Sequence, residues 1–147
     1  MHALARNILA VVLGLLTGGL VNMALVSTGP KVFPPPAGVD MSTPAGLAAA
    51  MPQLQPEHFV FPFLAHALGT FVGALVAYVA AGSHRPLFAW VIGILTLAGG
   101  IAASFMIPAP AWFITLDLLG AYLPMTWLAI LLGRRVTGTK PAAPTAE

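Results

Sequence analysis

The sequence predicts an all-α integral membrane protein, a bundle of four transmembrane helices, and three observations carry that prediction. Hydrophobic residues make up 59% of the 147-residue chain and charged residues only 7%, where an ordinary soluble domain carries about 25% charged residues. Six Lys and Arg with four Asp and Glu cannot supply the polar shell that a soluble core of this size needs. Four apolar stretches fall at 8–28, 59–81, 87–107 and 111–133, each near the ~20 residues a helix needs to cross ~30 Å of hydrocarbon. They are too long and too continuously apolar for barrel strands, which alternate over about 10 residues.

The basic residues set the expected orientation. Arg6 precedes the first span, Arg85 separates the second and third, and Arg134, Arg135 and Lys140 follow the fourth. Positive residues stay inside, so that end is expected in the cytoplasm, with both termini, in a plasma membrane of the bacterial inner type. A loop over 29–58, with Lys31, Asp40 and Glu57, and a short Pro108-Ala109-Pro110 turn then lie outside. Arg6 followed by an apolar run also fits a cleaved signal peptide, but the run exceeds the usual length of about 7 to 15 residues and no A-x-A site follows. The basic residues form no stripe with aromatic interleaving, so no nucleic-acid partner is expected. With no cysteine, disulfides, thiolate metal sites and thiol redox chemistry are excluded.

The chain reads as a single membrane domain over 1–135 with a disordered cytoplasmic tail over 136–147, rich in Pro, Thr and Ala. Within the outer loop, Pro34-Pro35-Pro36 favours an extended segment. Ser42-Thr43-Pro44 reads as an N-cap with proline in the first turn, which starts a short helix from Pro44 to about Met51. Leu47 and Met51 share one face of it, as a helix resting on the membrane surface or covering the bundle mouth requires. Inside the fourth span Pro124 is expected to bend the helix just inward of Asp117.

A faint repeat runs through the spans. Gly14-Leu15-Leu16-Thr17 resembles Gly93-Ile94-Leu95-Thr96, and His66 precedes Gly69 and Gly82 by the intervals that separate Asp117 from Gly120 and Gly133. Two parallel-repeat hairpins related by an axis along the membrane normal would place His66 and Asp117 in equivalent positions.

Polar groups in hydrocarbon cost about 2.5 to 3.5 kcal/mol each, so the three most deeply placed, Asn22, His66 and Asp117, need a reason. At 1.5 Å per residue all three lie roughly 9 to 10 Å from the outer ends of their helices. They also share faces with small residues: Gly14, Gly18 and Asn22; His66 and Thr70 beside Ala65, Gly69, Gly73 and Ala77; Thr96, Gly100 and Ser104; Asp117 with Gly120 and Ala121. Small faces let helices approach, so Gly14, Gly18, Gly69, Gly73, Gly100 and Gly120 are expected as packing positions and the polar residues should converge inside.

The candidate site is therefore an outward-facing His66 and Asp117 pair, steadied by Asn22, Thr70 and Tyr122, that binds a proton or a small polar solute. The bland alternative is that these residues only hydrogen-bond the helices together, at roughly 0.6 to 2 kcal/mol per bond. Glu57 and His58 with Asp40 lack ligand-type spacing, so no metal site is expected, and nothing points to a cofactor. The first span lacks the membrane-embedded Glu of a small multidrug exporter, and the missing cysteines exclude a thiol-oxidising quinone reductase. Three functions stay open: a transporter or channel protomer, expected as a homo-oligomer; an accessory subunit of a larger membrane complex, marked by small residues such as Gly73 and Ala77 left facing lipid; and an intramembrane acid–base enzyme, which lacks an accompanying nucleophile.

Overall fold

The computed structural model describes residues 2–38, 41 and 43–138; Asp40, Ser42, Lys140 and the rest of the expected tail lie outside them. The described residues form six α-helices and no strand: α1 (Ala3–Val32), α2 (Pro44–Ala50), α3 (Val60–Ala80), α4 (Arg85–Met106), α5 (Ala111–Gly120) and α6 (Leu123–Thr137). Four continuous or nearly continuous helical segments, 3–32, 56–80, 85–106 and 111–137, are long and apolar enough to cross a membrane. Those are the segments the hydropathy predicts.

Two boundaries differ from expectation. The first helix runs through Pro30 to Val32 rather than stopping before the Gly29-Pro30 pair, because a proline in the last turn keeps helical φ and removes only one backbone bond. The fourth segment is interrupted, not merely bent. Pro124 cannot donate to the Gly120 carbonyl and its ring crowds that oxygen, so the helical hydrogen-bond pattern lapses at Ala121 and Tyr122, with Tyr122 distorted to φ −115° and ψ −77°. It restarts at Leu123 with Pro124 in the first turn, where its missing N–H has no helical partner to lose. The helix then continues past Arg135 to Thr137, where the tail was expected to begin.

The bundle is built around α3, which packs along α1, α4 and α6. Its contact with α1 is backbone against backbone. A Cβ at Gly18 would lie 2.6 Å from the Gly69 carbonyl oxygen, and one at Gly73 would lie 2.7 Å from that of Gly14. Gly73 and Ala77, whose exposure would mark a docking face, are buried in this seam. The core is made largely of Ala10, Ala65, Ala74, Ala77, Ala89 and Ala129, while Leu4, Ile8, Leu16, Leu20, Phe105 and Leu119 point outward. Small residues inside and large aliphatic ones outside invert the order of a soluble core and suit lipid as the surrounding solvent. The packing is not two-fold symmetric: α3 lies along α4, but α6 has no matching face on α1. The repeat in the sequence does not extend to the helix contacts.

Both ends of the bundle are tied by side chains. At the end carrying Arg6, Arg85 and Arg134, the basic end, Arg6 Nε–H donates to the Ala80 carbonyl at 2.9 Å. Asn7 donates to Ser83 Oγ at 2.9 Å and accepts from the Gly82 N–H at 2.8 Å. At the loop end, Thr43 Oγ1 caps α2 by accepting from the Gly46 N–H at 3.0 Å. A 3₁₀ turn at Pro56–Phe59 leads directly into α3. There His58 Nδ1 accepts from the Gln55 N–H at 3.0 Å, which leaves its Nε2–H to donate to the Pro34 carbonyl at 3.1 Å. Both nitrogens of His58 thus hold the loop, and Leu47 and Met51 of the α2 region turn over the bundle mouth.

Adjacent glycines on α1 test the seam. Gly18→Ala is expected to lower unfolding stability in detergent by ~1 to 3 kcal/mol, whereas Gly19→Ala, whose Cβ would meet nothing within 4 Å, should be neutral or stabilising by up to ~1 kcal/mol. Equal effects at the two positions would contradict the packing.

Candidate functional site

His66 lies in the second turn of α3 and Asp117 in the second turn of α5, and the two meet across the helix interface. His66 Nδ1 sits 2.9 Å from each carboxylate oxygen of Asp117. With Asp117 as a carboxylate, which only accepts, Nδ1 is the donor. The Tyr122 hydroxyl donates to Asp117 Oδ2 at 2.9 Å, and its ring stacks on the imidazole with centroids 5.8 Å apart. Asp117 is 5% exposed and Tyr122 2%, while the His66 side chain keeps 28% of its surface.

The Tyr122 contact depends on the interruption after α5. On an unbroken helix, residues five apart point about 140° away from each other, so Tyr122 could not turn back to the carboxylate. The break at Ala121 and Tyr122, imposed by Pro124, swings the ring onto Asp117. Gly100 of α4 completes the seat, since a Cβ there would overlap the Tyr122 ring. Gly100 thus serves the site more than helix packing. Gly120, also expected as a packing position, has its Cβ position 3.4 Å from the Phe63 ring, near ordinary contact.

Two of the five expected site residues stand apart from this unit. Thr70 Oγ1 donates to Thr96 Oγ1 at 3.2 Å, and Thr96 donates to the Ile92 carbonyl at 2.9 Å. Asn22 packs against Gly69 and lines the same hollow as His66 and Thr70 without bonding either. Equal depth grouped Asn22 with His66 and Asp117, but of the five expected residues only His66, Asp117 and Tyr122 join. Asn7, which the sequence analysis passed over, does more bonding than Asn22. Its signal was present, because it shares a face with Ala10, Gly14 and Gly18 at helical spacing.

His66 stands where three hollows meet. A groove of about 310 Å³ runs between α1 and α4 over α3, reaching from Tyr122 and Asn22 towards Ile92. A chamber of about 340 Å³ lies under the outer loop at the opposite side of His66. A small hollow of about 60 Å³ separates α4 from α5 beside Asp117. His66 Nε2 has no bond to a described residue, so the imidazole is held by its Nδ1 side and offers its other nitrogen to these spaces. An imidazole oriented in this way by a carboxylate is suited to accept or pass on a proton, or to bind a hydrogen-bonding solute. Among the described residues no three His, Asp or Glu side chains gather as a metal set.

No family model, curated protein or solved structure matches the chain.

The hydrogen-bond pattern predicts the state of the ring. ¹⁵N NMR of the protein in detergent is expected to find His66 Nδ1 protonated, and replacing the acceptor by Asp117→Leu to abolish that preference. A neutral ring protonated at Nε2 alone in the unaltered protein would contradict the geometry.

Proposed function

We propose that the protein is a multi-pass plasma (inner) membrane protein with its basic end and both termini in the cytoplasm. It acts as a small transporter or channel protomer that takes up a proton or a small hydrogen-bonding solute at His66 from the loop side. The observation that carries this reading is the place of His66, with Nδ1 fixed by Asp117 and Nε2 unbonded, between the loop-end chamber and the groove that leads inward. An ionisable pair inside an apolar bundle is expensive as mere glue, because plain hydrogen-bonding or apolar residues join helices at lower desolvation cost. Pinning by Asp117 supports a working role for the imidazole, and the interruption at Tyr122 supplies a weak point in the backbone at which α5 can move against α6.

One observation also supports the accessory-subunit reading. The groove is open sideways between α1 and α4, where Cβ positions at Gly19 and Gly99 meet nothing within 4 Å. A second copy of the chain would close it in the transport reading, and a helix of a different subunit would close it in the other.

The natural absence of cysteine allows a direct test. In vesicles of known orientation, His66→Cys and Asn22→Cys are expected to react with a membrane-impermeant thiol reagent from the loop side only. Val136→Cys should react from the basic side only, and Leu116→Cys from neither. Reconstituted protein should then carry a proton flux, read by an entrapped pH dye, that falls at least tenfold in Asp117→Asn. Failure of both cysteines to label and absence of flux would overturn the reading, and a stable partner retained through gentle purification would replace it with the accessory one.

A further inference from the structure

We infer that the loop-end chamber binds a small, mostly apolar molecule carrying one acidic hydroxyl, with that hydroxyl on His66 Nε2. The inference rests on the reading of His66 as a reachable hydrogen-bonding group and names the class of ligand it takes.

The chamber volume of about 340 Å³ is near the lower end of the ~300 to 1,000 Å³ range of small-molecule sites. The wall is formed largely by apolar side chains, including Phe33 just after α1, Leu47 and Met51 of the covering segment, Phe59 just before α3, Ile107 just after α4 and Phe113 of α5. Among the described residues, only two side chains on it carry hydrogen-bonding nitrogens, His58 and His66. His58 is engaged at both ring nitrogens by Gln55 and Pro34. Among the described side chains on the wall, His66 is therefore the one with a ring nitrogen left unbonded, Nε2.

That pattern selects among occupants. Ordered water needs two to four polar partners, and the described side chains leave it one. A solute polar all round would leave its groups unsatisfied against Phe and Leu. An apolar body with one polar group fits. The polar group must be a donor when His66 is neutral, since with its hydrogen on Nδ1 the ring presents a lone pair at Nε2. It must become an acceptor when the ring carries both hydrogens. An acidic hydroxyl meets both conditions, as O–H facing N in one state and as the oxyanion facing N–H in the other, with a single proton moving between them. Phenols and short carboxylic acids share this chemistry.

The test uses the full chain in lipid nanodiscs, labelled with ¹³C at methionine methyls and ¹⁵N at histidine. Met51 reports the chamber, and Met106, which is 80% exposed on the outer surface of the bundle, reports the lipid. The probes are 4-propylphenol, hexanoic acid, and 4-propylanisole as the apolar body without a donor. We expect the phenol, the acid or both to shift Met51 and His66 Nε2 together and saturably, at about tenfold lower concentration than the anisole. Which of the two does so names the source of the hydroxyl. A saturable Met51 shift that is equal for all three probes with His66 unmoved, or no Met51 shift beyond that of Met106, would overturn the inference. His66→Cys labelled from the loop side alongside such a result would leave the functional reading standing and remove the ligand class alone, whereas an unlabelled cysteine would remove both.

Discussion

A carboxylate in an apolar bundle cannot be left without donors, and the arrangement around Asp117 follows from that constraint. Two donors reach it, His66 from α3 and Tyr122 from the interruption that Pro124 forces. Each brings its own requirement. His66 fixes the register of α3 against α5, and Tyr122 requires both the broken helix and a position on α4 without a side chain, which Gly100 provides. Three helical segments and a backbone break are thereby tied to one side chain. The same ties leave His66 Nε2 without a bond to any described residue at the junction of the hollows.

The rest of the bundle serves that placement through close approach. α1 is drawn onto α3 at the paired glycines, Gly18 against Gly69 and Gly14 against Gly73, so that contact comes from dispersion between backbones and not from burial of large side chains. α4 does not close onto α1 with the same intimacy, and the groove remains between them. At the loop end His58 holds Pro34 and the start of α3 together, which keeps the covering segment over the chamber. The two cavities are thus defined by one tight seam and one pinned loop.

Much of this was legible in the sequence because membrane helices carry few polar residues and strong spatial constraints. Four apolar runs gave the helices, small residues at four-residue spacing gave the inward faces of α1 and α3, and two ionisable groups at one depth gave the His66 and Asp117 contact. What escaped depended on lateral position or on tertiary context. Depth counting cannot tell that Asn22 stops beside Gly69 while Tyr122 reaches the carboxylate. Pro124 announced a bend, but a bend alone does not tell that the break turns Tyr122 towards Asp117. Asn7 was not singled out although its helical face points inward, and the internal repeat matched residues without matching the contacts those residues make.

The central claim is that His66 and Asp117 are coupled energetically and do not merely lie close. A double-mutant cycle of His66→Gln and Asp117→Asn, read as unfolding free energy in one detergent, tests it most directly. The account predicts a coupling of about 1 to 3 kcal/mol, and additivity within ~0.5 kcal/mol would contradict it.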